Sequence, residues 1–249
     1  MPVFFRHENI PEKEGLHDMA KRPLFIPVKT GCVPGVEIFE VDFQWFPGMS
    51  KSQKQKSVLS LHEASEKHGF SPILEVSSKS LHEVGVSLSA FNLMIETNNK
   101  KRVFSVESAF QSSKVFEKGG PYRDLLDKSS REAKKDPRLK ESGEVVGFNF
   151  FGKNFPIEPK TFFYDWLYIN ALQKNKHLSE KIVDFSAFTD IEFNPVKSIN
   201  CQAYSSALYV SMVHMGVLET ALSSSESFYS FISDRNEKVK RDSLQGDLL

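Results

Sequence analysis

Apolar and polar side chains alternate along residues 36–45 (Val-Glu-Ile-Phe-Glu-Val-Asp-Phe-Gln-Trp), the period-2 pattern of a half-buried strand. Phe46-Pro47-Gly48 ends it. Ser50 followed by Gln53 resembles a capping box, which predicts a helix from there to about His68, stopped by Gly69. A second strand is expected over 73–77. Residues 86–97 and 101–105 flank Asn98-Asn99, a strong hairpin turn signal, and a helix carrying Glu107 follows directly. Downstream the pattern turns mainly helical. Short helices are expected at 121–127 and 129–140. Pro159 suits the first position of a helix to about Gln173, with Phe162, Phe163, Trp166 and Ile169 on its apolar side. Residues 202–222 read as the longest helix, apolar around most of its circumference and hence central. Ser223 and Glu226 are spaced to cap a last amphipathic helix, and the end from Arg241 is expected to fray.

These elements predict an α+β protein, mainly helical with a small antiparallel sheet or hairpin in its N-terminal half. Residues 1–20 are polar and aperiodic, and Met19 before Ala20-Lys21-Arg22-Pro23 reads like a second natural start. The expected organisation is a disordered extension over 1–20, a single domain over 21–222, and a C-terminal helix with a frayed tail over 223–249.

A chain of 249 residues is ample for a packed core, and 22 phenylalanines make that core rich in rings. With 32 basic against 32 acidic side chains, no global field steers the protein to a polyanion, so any such site is local. Cys32 and Cys201 suit neither a disulfide framework nor metal-ligand spacing, and read as small buried thiols. The seven histidines are scattered, with no His/Cys/Asp trio for a triad or zinc site. No apolar run is long enough to span a bilayer, and the first residues lack the order of a secretory signal. A cytoplasmic location away from membranes is the expectation.

Four groups of residues carry candidate chemistry. Glu107, Gln111 and Lys114 fall at i, i+4 and i+7, on one face of the predicted helix. A carboxylate, an amide and an amine so placed suit acid/base or amine-nucleophile work; equally, a first-turn Glu is favoured by the helix dipole and a Lys by solvent. Asp190 and Glu192 stand two apart in Phe-Thr-Asp-Ile-Glu-Phe-Asn-Pro, either a functional carboxylate pair or an acidic surface turn. Asn200-Cys-Gln-Ala-Tyr opens the long helix, where free N–H groups can hold a phosphate or Asn200 can simply act as N-cap. The run Lys128, Arg131, Lys134, Lys135, Arg138 can follow a nucleic-acid backbone or form a solvated face. Trp45 and Trp166 fall on apolar stripes and are expected in the core.

In this order the pieces resemble the NADAR family, over roughly residues 70–222. Its turn into a helix ending Q-x-x-K-F is similar to Ser105-Val-Glu107 through Gln111-Ser-Ser-Lys114-Val-Phe116. Leu88-Ser-Ala-Phe-Asn92 resembles its F-S-N-F-like strand, and Ser129-Ser-Arg-Glu-Ala-Lys-Lys135 its S-x-x-x-A-K-K/R segment. Asp190 through Gln202 resembles its late acidic loop and helix start. Lys21-Arg-Pro-Leu-Phe-Ile-Pro27 and Gly119-Gly-Pro-Tyr-Arg-Asp-Leu-Leu-Asp127 look like the bacterial antitoxins of this family paired with DarT-type toxins. Two departures are plain: Lys160 or Thr161 falls where many members carry tryptophan, and Ser108 follows Glu107 where many carry an aromatic or histidine.

The resemblance implies an N-glycosidase that removes ADP-ribose from guanine in DNA, undoing the modification made by the toxin, with no cofactor or metal. It implies Glu107 and Asp190 as acid/base groups and Lys114 as nucleophile or charge stabiliser. Ser77, Ser89, Asn92, Gln111, Asn200 and Gln202 are the implied substrate contacts, with Lys134 and Lys135 on the DNA backbone. The implied partners are ADP-ribosylated DNA, the ADP-ribose product and a cognate toxin. Two other readings remain: a glycosidase of a small ribosylamino nucleotide, as in riboflavin biosynthesis, and a non-catalytic protein that binds the toxin or ADP-ribose.

Overall fold

The computed structural model describes residues 18–31, 33–97, 101–195 and 198–233. Most of the expected extension, Cys32, the Asn98-Asn99 turn and the frayed tail lie outside these. Strand β1 (Met19–Pro27) pairs antiparallel with β2 (Val36–Gln44), in register from Met19↔Gln44 to Pro27↔Val36. The alternating pattern marked β2 but left β1 unseen. Its second half is an apolar block, Leu24-Phe25-Ile26, because it is an interior strand covered on both faces.

Helix α1 (Lys51–Glu66) starts as expected, with Ser50 Oγ accepting the Gln53 amide proton at 3.3 Å. It packs Val58 and Leu61 on Leu24, Val41 and Phe43. The chain continues through β3 (Ile73–Glu75), α2 (Glu83–Ser87) and the hairpin β4 (Met94–Glu96)–β5 (Val103–Ser105). Helix α3 (Val106–Ser113) and strand β6 (Lys114–Phe116) follow, then a 3₁₀ turn (Arg123–Asp127), α4 (Ser130–Lys135) and α5 (Arg138–Glu141). The hairpin β7 (Val145–Phe150)–β8 (Lys153–Phe155) leads to α6 (Phe162–Lys174), α7 (Lys176–Ile182), β9 (Ala187–Thr189), α8 (Gln202–His214) and α9 (Leu218–Leu222), with a helical stretch over 225–233.

The strands form a four-stranded sheet in the order β2-β1-β9-β3, the β4–β5 hairpin, and a three-stranded sheet β6-β7-β8. In the first sheet only β3 and β9 run parallel, so a strand from the C-terminal half is inserted between two from the N-terminal half. The class is α+β in a single domain. Of residues 86–97 only 94–96 are strand, and 88–92 form a turn after α2. Strands β6 to β8 were hidden because short strands packed against helices carry too few alternations to register.

Helix α6 begins at Phe162, with Thr161 as N-cap and Pro159 outside it. The expected long helix over 202–222 is broken. Gly216 adopts φ 68°, and Val217 N–H closes on the Met212 carbonyl at 3.1 Å, a glycine stop that the apolar run concealed. Rings fill the core where α6 meets the small sheet: Phe163 lies 4.7 Å from Phe148 and 4.8 Å from Phe155 between centroids. Trp166 and Trp45 are half-buried against the two core clusters.

Candidate active site

Helix α3 is held at its start from two sides. Ser105 Oγ caps it, accepting the Ser108 amide proton at 3.0 Å. The amides of Val106 and Glu107 donate to the Leu93 and Ala90 carbonyls, both at 2.9 Å. Glu107 is thereby buried in the first turn, 5% exposed, and Gln111 one turn later donates Nε2–H to its Oε1 at 2.9 Å. Lys114 does not complete the expected helical stripe. The helix ends at Ser113, and Lys114 is extended (φ −63°, ψ 128°), paired with Phe148 in β6–β7. The Ser112 and Ser113 hydroxyls both donate to the Ala109 carbonyl, competing with the helical ladder just before that break. The Lys114 ammonium still turns back, 4.9 Å from the Phe110 ring centroid. Burial lowers its pKa; the Glu107 charge opposes that and Lys134 reinforces it.

Lys134 reaches the same carboxylate from α4. A capping box between Ser129 and Glu132 starts that helix, and Ser130 Oγ donates to Ser105 Oγ (2.7 Å) and the Phe91 carbonyl (2.9 Å). Four residues on, on the pinned face, Lys134 Nζ lies 3.6 Å from Glu107 Oε1. Lys135 is exposed one position further round, and Arg138 is held by Asp124 and Asp136. The basic run is therefore divided among separate tasks rather than forming one stripe.

Asp190 follows β9, 8% exposed, its Oδ1 accepting the amides of Glu192 (3.0 Å) and Phe193 (3.1 Å). Both its neighbours are tied to Glu75, a carboxylate the sequence reading missed. Glu75 Oε1 accepts from the Ile191 amide at 2.9 Å and from Ser77 Oγ, and Oε2 accepts from Thr189 Oγ1 at 2.7 Å. Burial, then the Glu75 charge, push the Asp190 carboxyl well above the ordinary carboxylate range. Burial raises Glu75 as well, against the three donors that favour its ionised form. Thr189 Oγ1, whose hydroxyl donates its hydrogen bond to Glu75, accepts from His62 Nε2 at 2.9 Å. That ring is neutral, its pKa held down at about 4 by burial and by His82.

One glutamine joins the two halves. Gln202 Oε1 accepts the Ala90 amide proton at 2.7 Å, and its side chain also hydrogen-bonds Asp190. Tyr164, edge-on to Phe110 at 5.1 Å, lies within electrostatic reach of both carboxyls; burial, then Glu107, raise its hydroxyl pKa, with a smaller push from Asp190. Composition and spacing gave no sign of Tyr164. For Glu75 the sign was there: a carboxylate inside the apolar run Ile73-Leu-Glu-Val76.

The remaining candidates divide. Ser89 is 2% exposed, and among the described residues neither its Oγ nor the buried Asn200 Oδ1 has a hydrogen-bond partner. Ser77 is fully buried and its hydroxyl donates to Glu75. Asn92 is exposed, its amide donating to the Val86 carbonyl at 2.9 Å. The N-cap of α8 is Cys201 rather than Asn200, and among the described residues no side chain caps that helix.

The described residues form a single α+β domain in which Lys134 pairs with buried Glu107 and Gln202 ties the turn before Glu107 to Asp190, a buried carboxyl of raised pKa. Residues 20–242 match the model of a family described as DarT1-associated NADAR antitoxin, and the chain belongs to that family. No curated protein matches the chain. Among the described residues no helix is long and apolar enough to cross a membrane.

Proposed function

We propose that this antitoxin acts as an N-glycosidase, releasing ADP-ribose from guanine bases in DNA that a DarT-type toxin has modified. The observation that carries this reading is a lysine of lowered pKa, Lys114, within the electrostatic reach of buried Glu107, in a site that Gln202 ties to a carboxyl of raised pKa, Asp190. The bond to be cut joins ribose C1 to the exocyclic amine of guanine. Its cleavage needs a proton on the departing nitrogen and relief of positive charge at C1. Asp190 supplies the proton. Glu107 stabilises the charge and orients the Lys114 amine.

In the covalent route the ribose ring opens to an imine at C1. The Lys114 amine adds to that carbon, guanine leaves as its free amine with the proton from Asp190, and water then hydrolyses the lysine Schiff base. The unpaired Ser89 hydroxyl and Asn200 Oδ1 are suited to ribose hydroxyls. Uncapped N–H groups at the start of α8 suit the diphosphate, with Gln111 and Gln202 holding the reacting centre and Asn92 at its rim. Lys135 is left for the DNA backbone.

Incubation with guanine-ADP-ribosylated single-stranded DNA is expected to yield free ADP-ribose and restored guanine. Borohydride added during turnover is expected to trap an adduct on Lys114. Full activity in Lys114→Ala, with no adduct in the wild type, removes the covalent route. Turnover of a free ribosylamino nucleotide but not of DNA points to the small-substrate reading, and protection of cells by a Glu107→Ala variant points to a non-catalytic binder.

A further inference from the structure

The β7–β8 hairpin carries a conformation that its own stability does not favour. Phe150 pairs with nothing beyond Lys153, so the turn is the two residues Phe151-Gly152, with φ of 49° and 86°. Both central residues thus have positive φ, as in a type I′ turn, where Asn-Gly is preferred and a bulky aromatic is an outlier. Phe151 is also 58% exposed, so core burial does not explain the ring.

What surrounds it does suggest a use. Beside the turn opens a cavity of about 170 Å³, lined among others by Arg102, Ser113, Arg123, Asn149, Phe150 and Phe151. That is too small for a whole nucleotide, and its scale suits one flat heterocycle. Phe151 offers a ring face, tilted 31° to Phe104 at 6.0 Å and edge-on to Phe150 at 4.7 Å. Asn149 Oδ1 is a buried acceptor without a partner among the described residues, while its Nδ2 donates to Asn154 Oδ1 at 2.6 Å. Arg102 pairs with Asp127 at 2.7 Å, and Arg123 is exposed at the same mouth. Ser113, in the wall, immediately precedes Lys114.

We propose that this pocket holds one base of single-stranded nucleic acid, stacked on Phe151, with an N–H on its edge donating to Asn149 Oδ1 and the guanidinium groups of Arg102 and Arg123 facing the phosphates. The proposal rests on the reading of DNA as substrate and adds a second contact beyond the modified nucleotide. The positive φ of Phe151 is then a stability cost retained for binding. Stacking of bases on aromatic side chains tolerates any sequence, which suits an enzyme that must find one modified guanine in varied contexts.

The substitution Phe151→Asn tests this without risking the fold, because it installs the preferred Asn-Gly turn. It is expected to raise the thermal midpoint yet weaken binding of a fluorescent, unmodified, mixed-sequence single-stranded oligonucleotide about tenfold. Phe151→Trp, which keeps a ring, is expected to bind like the wild type. Equal binding by wild type and Phe151→Asn, no binding by the wild type, or loss of binding in Phe151→Trp would each overturn the pocket. ADP-ribose release is scored separately: a wild type that binds through Phe151 but releases nothing overturns the glycosidase reading and leaves the pocket standing.

Discussion

Gln202 accepts the amide proton of Ala90 at 2.7 Å, and through that bond the start of α8 is locked to the turn that delivers Glu107. Ala90 is 2% exposed, so its N–H has no water to fall back on. In Gln202→Ala that donor is orphaned and Asp190 loses a hydrogen bond. The expected cost is about 1–3 kcal/mol in denaturant unfolding, together with a loss of ADP-ribose release well beyond the fraction unfolded. A variant that is destabilised but fully active would show that the two halves need no such tie.

Asp190→Asn should separate stability from activity. A carboxyl whose folded pKa is raised contributes stability fully below its unfolded value, about 3.9, and that contribution is lost as pH rises through the folded pKa. The wild type should therefore lose thermal stability as pH climbs above that range. The asparagine variant should lose less, overtaking it at neutral pH while being inactive. Parallel melting curves from pH 4 to about 9 check the sign.

For Glu107→Gln the expectation is the reverse balance. The ion pair it removes reaches an amine that is 57% exposed, so stability should change by less than about 1 kcal/mol. Activity should fall on the order of a hundredfold or more. Glu107 also opposes the lowering of the Lys114 pKa, so removing its charge should shift the pH dependence of borohydride trapping towards lower pH. A trapping profile that stays in place would mean the two groups do not communicate.

Ser130→Ala tests whether the pin on α4 serves Lys134. It removes bonds to Ser105 Oγ and the Phe91 carbonyl, at an expected cost of about 1–2 kcal/mol. If the pin acts through Lys134, its effect on turnover should largely vanish in a Lys134→Ala background. A double-mutant cycle in kcat/KM measures that coupling, and full additivity would separate the two residues.

Much of this architecture was legible in local chemistry. The alternation over 36–45 gave β2, the Ser50 signal gave a helix start, and the Glu107 helix emerged from its hairpin as expected. Short range was also the limit. Nothing local says that Thr189 and Ile191 will close on Glu75, more than a hundred residues earlier, or that β9 will enter the sheet beside β1. Lys114 shows the same limit in small. Its spacing from Glu107 placed it on the helix, but pairing with Phe148 drew it into a strand, and the fold of its side chain over Phe110 keeps it within electrostatic reach of Glu107.

By itself the sequence determined the candidate residue types, the family order in which they occur, and the local patterns that make α1, β2 and α3. Tertiary structure alone decided which of them meet and in what state. Burial lowers the Lys114 pKa and raises that of Asp190, the Glu75 charge pushes Asp190 further the same way, and Gln202 binds the halves together. The reason is that propensity and capping act within a few residues, whereas desolvation and charge coupling depend on neighbours that only packing supplies.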